Sequence, residues 1–116
     1  MTEPLKKLSA SEAPDPVLDE IVRRLVEALH PERIYLFGSR ARGDAGAESD
    51  YDLLLVMPEA QGPLRGLETL AYQSLRGTGA AADVLIQTHG YFESRRHLKA
   101  SLPATVEREG RVIYAA

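Results

Sequence analysis

Residues 37–56, FGSRARGDAGAESDYDLLLV, decide the fold. The stretch opens on Gly38-Ser39, closes on an unbroken apolar run, and sets two aspartates, Asp50 and Asp52, directly before that run. Strand side chains alternate, so two aspartates one residue apart project to the same side, roughly 6.5–7 Å apart along the backbone. An isolated D-x-D reads as a loop cap followed by a strand edge. Here LLLV follows at once, which sets Asp52 near the buried centre of a sheet, where an unpaired charge is expensive and a cation would offset it. Gly38 and Ser39 lie where the chain must turn sharply. That turn is either an ordinary one or one whose backbone N–H groups and hydroxyl surround a phosphate.

Working outward, RIYLF (33–37), DLLLV (52–56) and ADVLIQT (82–88) read as strands, with at least one covered on both faces. Before them, Val17, Leu18, Ile21, Val22, Leu25, Val26 and Leu29 fall on one helical face, with Asp15 as N-cap, Pro16 at the first helical position and Pro31 beyond the end. Leu64, Leu67, Leu70, Ala71, Ser74 and Leu75 predict a helix between the second and third strands. Further on, YFESRRHLKAS (91–101) and PATVERE (103–109) read as helical, Gly110 as a stop, and RVIY (111–114) as a last strand. This alternation predicts an α/β domain built on a small mixed sheet flanked by helices. Residues 1–16, rich in proline, are expected to form a flexible leader, leaving 17–116 as a single domain.

A chain of 116 residues with a net charge of −3 has room for one core and one site. Cysteine is absent, which removes disulfide frameworks and thiolate metal sites and is compatible with a reducing cytoplasm. No apolar run approaches the ~20 residues needed to cross a bilayer, and the N-terminus lacks a signal-peptide core, so a cytoplasmic protein without membrane attachment is expected. Mild acidity argues against general nucleic-acid binding, which demands a basic face.

A third carboxylate, Asp83, stands at the front of another apolar strand. Three carboxylates at the starts of adjacent strands repel one another unless a divalent cation neutralises them, and all-oxygen ligands select Mg²⁺ or Mn²⁺ over Zn²⁺. Beside a phosphate-binding turn, such a triad is what two-metal phosphoryl chemistry requires.

Gly38-Ser39-x-x-Arg42-Gly43 followed by Ser49-Asp50-Tyr51-Asp52-Leu53 resembles the minimal nucleotidyltransferases of the DNA polymerase β superfamily. The resemblance runs from the first helix to the end of the sequence. Without an appended helical domain, the chain is similar to the antitoxin members that pair with HEPN ribonuclease toxins. What the resemblance implies is a polymerase β-like palm fold, Mg-ATP as donor with two Mg²⁺ ions, and Gly38 and Ser39 on the donor triphosphate. It also implies Asp50 and Asp52 as catalytic metal ligands, with Asp83 matching the third carboxylate by strand position.

Among the remaining candidates, Arg42 reads as ordering the loop between turn and carboxylates or as touching phosphate, and Arg40 as solvated. Tyr51 faces away from the aspartates and reads as packing. His30, His89 and His97 are not spaced as ligands, and Arg95, Arg96, His97 and Lys99 form a solvated helix face or a contact for an acidic partner or an RNA substrate of a toxin. Two functions stand side by side: an enzyme that transfers AMP to a hydroxyl, most plausibly a tyrosine, of a HEPN toxin held in a hetero-oligomer, and an antitoxin that masks its toxin with a vestigial site. Transfer to a small molecule is the third, disfavoured by how few walls so short a chain offers an acceptor pocket.

Overall fold

In a computed structural model, which describes residues 15–46, 49–59 and 64–116, the chain enters through helix α1, Pro16–Leu29. Asp15 caps it by accepting from Leu18 N at 3.1 Å, and Pro16 occupies the first turn, where its missing N–H leaves nothing unpaired. Leu18, Ile21, Leu25 and Leu29 recur every three or four residues and are all buried, so one stripe of α1 lies on the sheet. His30 closes the helix in the left-handed region, φ 55°, its N–H donated to Val26 O. The first fourteen residues of the expected leader lie outside the described residues.

Four strands follow, β1 (Arg33–Phe37), β2 (Tyr51–Met57), β3 (Ala82–Thr88) and β4 (Arg111–Ala115), in the order β3-β2-β1-β4. β1 runs antiparallel to both β2 and β4, whereas β2 and β3 are parallel, so the sheet is mixed as expected. The parallel pair needs a crossover, which α3 (Leu67–Ser74) supplies. Leu53 to Met57 of β2 are wholly buried because both faces of that strand are covered. Ile34, Leu36, Leu53, Leu55, Met57 and Val84 pack with α1 and with Ala71 of α3. On the other face Tyr35, Leu54 and Val56 meet Phe92 of α4 (His89–Arg95) and Val106 of α5 (Leu102–Glu109).

Two expectations shift. The Gly-Ser turn opens a single helical turn, α2 (Ser39–Arg42), in which Ala41 N and Arg42 N both donate to Gly38 O at 3.1 Å. The helix expected over 91–101 begins earlier, at His89, where Thr88 Oγ1 accepts from Tyr91 N, and stops at Arg95. Between Phe92 and Ser101 the apolar side chains, Leu98 and Ala100, are exposed, Leu98 by 49%. The chain turns there, with Leu98 N on Arg95 O and Ser101 N on Leu98 O, so that Ser101 can cap α5 through Ala104 N. Among the described residues no helix is long and apolar enough to cross a membrane.

Candidate active site

Strand directions gather the chemistry. Because β1 and β2 are antiparallel and β2 and β3 parallel, the end of β1 and the starts of β2 and β3 share one edge of the sheet. Gly38 leaves β1 at that edge, Asp50 and Asp52 enter β2, and Asp83 enters β3. Asp52 is in register with Phe37 on one side and with Asp83 on the other. In-register neighbours project from the same face of strands spaced about 4.8 Å apart, so Asp52 and Asp83 stand side by side. Asp52 is half-buried, while Asp50, just before the strand, and Asp83 are exposed.

Gly38 makes room for this pair. Its backbone sits at φ 76°, ψ −157°, a conformation essentially restricted to glycine. A Cβ added there would run into the Asp52 carboxylate and stand 3.0 Å from its Cγ, so the missing side chain is the space that Asp52 occupies. The glycine of the turn and the aspartate of the strand are one structural unit.

The Asp52 carboxyl is held above the ordinary carboxylate range, first by burial, then by the charges of Asp83 and Asp50, with Arg42 opposing. Both of the other carboxylates therefore act on Asp52. Among the described residues, no three His, Asp or Glu side chains are gathered closely enough to hold an ion by themselves. That does not count against a hard cation, since Mg²⁺ typically takes one or two carboxylates and fills its octahedron with water and substrate phosphates. Two in-register carboxylates whose mutual repulsion a positive ion relieves fit that description.

The loop between turn and strand is fastened by Arg40, not left with a solvated Arg40 as the sequence implied. Its Nε donates to Ser49 O at 2.9 Å and its guanidinium lies 4.0 Å from the Tyr51 ring centroid. Among the described residues Arg42 bonds locally, to Asp44 at 3.3 Å, and bears on the site through its charge on Asp52. Tyr51 packs away from the aspartates as expected. It is buried, and its hydroxyl donates to Asp15 at 2.8 Å, so one carboxylate caps α1 and pins the start of β2. A cleft of about 360 Å³ lined by Val17, Arg40, Ser49, Tyr51, Gly79, Ala80 and Ala81 lies at the same edge, with no carboxylate among the described residues of its wall.

Two histidines are placed away from Asp50, Asp52 and Asp83: His89, past the far end of β3, meets Glu32 through Nδ1 at 2.5 Å, and His30 caps the C-terminus of α1. Of the basic cluster, Arg96 is engaged by Glu93 and Glu107, and Arg95 lies over Tyr91. One contact had no signal in the sequence. Tyr72, on the exposed side of α3, accepts from Val84 N at 3.0 Å and reaches Asp83 Oδ1 at 3.4 Å.

Fold and edge together define the class of nucleotidyl-transferring α/β proteins. The family described as nucleotidyltransferase domain matches residues 18–109, from α1 to the end of α5, and the chain belongs to it. A solved structure described as a nucleotidyltransferase, from Sulfolobus solfataricus, is similar over 85% of this chain and 78% of its own, with 22% identity and a TM-score of 0.56. A second, described as a toxin-antitoxin with AMP-PNP, is similar over 84% of this chain and 73% of its own, with 20% identity and a TM-score of 0.59. At such identities the likeness is one of fold. No curated protein matches the sequence significantly.

Proposed function

We propose that this protein transfers AMP from ATP to a hydroxyl, most plausibly a tyrosine, of a HEPN-type ribonuclease toxin, and thereby silences it. The observation that carries the proposal is the in-register Asp52–Asp83 pair, with Asp52 seated in the space left by the missing side chain of Gly38. A masking protein has no physical need for clustered carboxylates that repel one another. Gly38 and Ser39 would hold the donor triphosphate, with Arg42 adding positive charge at the turn. Asp50, Asp52 and Asp83 would hold the Mg²⁺, two ions in the reading offered here. When bound, the metal neutralises the carboxylates and the phosphates and so lets the anionic donor approach.

In the reaction the acceptor hydroxyl oxygen forms a bond to the α-phosphorus of ATP. The bond from that phosphorus to the bridging oxygen of the β-phosphate breaks, pyrophosphate leaves, and the hydroxyl proton passes to Asp83. The open edge of the sheet suits an acceptor carried on a partner. The toxin-antitoxin neighbour supports this reading at the level of fold alone.

Incubation with Mg-ATP and the proposed HEPN-type partner is expected to add AMP to the toxin, located on a hydroxyl side chain by mass spectrometry. Neutralisation without a mass change, retained by Asp52→Asn, would establish masking and overturn the enzyme.

A further inference from the structure

We infer that Tyr72 is a positioning residue for Asp83, fixing the third carboxylate's orientation through the edge-strand backbone; this rests on the reading of Asp83 as a metal ligand. β3 is an edge strand, so alternate backbone N–H groups point away from β2 and need another partner. Tyr72 supplies one, its hydroxyl accepting from Val84 N at 3.0 Å. That bond uses a lone pair and leaves the hydroxyl proton to be donated, and the acceptor in reach is Asp83 Oδ1 at 3.4 Å. A backbone amide thus polarises the hydroxyl, and the hydroxyl is aimed at one oxygen of the carboxylate.

At 3.4 Å the contact is long for a hydroxyl–carboxylate bond, so it steers Asp83 instead of clamping it. Asp83 needs that steering. It is exposed and its backbone is tied into the sheet, but its side chain would otherwise be free to rotate away from Asp52. Asp52 is differently placed, wedged against Gly38. One carboxylate is oriented by packing and the other by a hydrogen bond from α3, the arrangement by which residues outside the ligand set commonly tune a metal site.

The test is Mn²⁺ binding to nucleotide-free protein, followed by the EPR signal of the free ion, in wild type, Tyr72→Phe, Asp83→Asn and the double variant. Tyr72→Phe, which keeps the ring, is expected to weaken Mn²⁺ binding about tenfold. In the Asp83→Asn background, itself impaired, the same change should have no further effect, because the hydroxyl acts through Asp83. Wild-type Mn²⁺ affinity in Tyr72→Phe, or a loss that persists without the Asp83 carboxylate, overturns this inference and leaves the metal site standing. Unaltered binding in Asp83→Asn, or none in wild type, overturns the metal-ligand reading and this inference with it.

Discussion

The two ends of β2 are built to opposite requirements. From Leu53 to Met57 every side chain is buried against helices on one face or the other, and nothing polar interrupts the packing. At the start of the strand, one residue earlier, the chain sets Asp52 beside Asp83, with Asp50 near enough to act on its charge, and shapes Gly38 into a glycine-only conformation to do so. One end of the strand supplies stability, and the other spends part of it on a charge arrangement that Arg42 offsets only in part. A sheet built for stability alone would place Asn, Thr or Val at position 52.

Substitutions at the two ends should differ in size and in sign. At the stable end, Leu54→Ala removes a wholly buried side chain from between Tyr35, Phe92 and Val106, and chemical denaturation should register a loss of about 2–5 kcal/mol. A loss below about 1 kcal/mol would show that the α4 and α5 face collapses onto the gap, and that the packing there is less strict than described.

Gly38→Ala should come next. The strained backbone at φ 76° alone implies a loss of about 1–3 kcal/mol, and the new Cβ must displace the Asp52 carboxylate. Its effect on transfer should exceed its effect on stability, because the residue it moves is the one the proposed chemistry uses. A variant with lowered stability and full activity would separate the turn from the site.

The same contrast in the sheet's interior sharpens with pH. Tyr35, on the α4 and α5 face, is pushed up to about 12 by burial and by its bond to Glu107 at 2.6 Å. Because the folded value is raised, its contribution is complete below the unfolded value of about 10 and is lost as pH rises through about 12. The melting midpoint should fall across that window, and less steeply in Tyr35→Phe. An identical slope in both proteins would assign the alkaline loss to other groups, Tyr51 first, which is raised to about 12 by burial and by Asp15.

Much of this was legible in the residues. α1 announced itself through Asp15, Pro16 and the spacing of Leu18, Ile21, Leu25 and Leu29, and β2 through an apolar run too continuous for an edge strand. The same-side reading of Asp50 and Asp52 rested on a two-residue strand period, a local property, whereas the approach of Gly38 to Asp52 is made across the β1–β2 pair. What escaped depends on contacts between distant segments. Arg40 looked solvated because nothing in its neighbourhood says that Ser49 and Tyr51 fold back beneath it. Tyr72 reads as a surface residue of a weakly amphipathic helix, and only the placement of α3 beside the edge of β3 brings its hydroxyl to Asp83. The end of α4 was not legible because Arg95, Arg96, His97 and Lys99 carry on a charged run past the point where the apolar face stops, at Phe92.

The smallest stability change is the most informative, because its sign is opposite to the others. Asp52 is raised by burial and by its acidic neighbours, so its charged form opposes folding. The penalty is absent below the unfolded carboxylate value of about 4 and grows as pH rises from there through the folded one. Melting of Asp52→Asn in chelator at neutral pH, paired with AMP transfer to the toxin under Mg-ATP, tests the central claim in one variant. The account predicts a higher melting midpoint than wild type together with loss of transfer. A lower midpoint, or transfer at the wild-type rate, would contradict it.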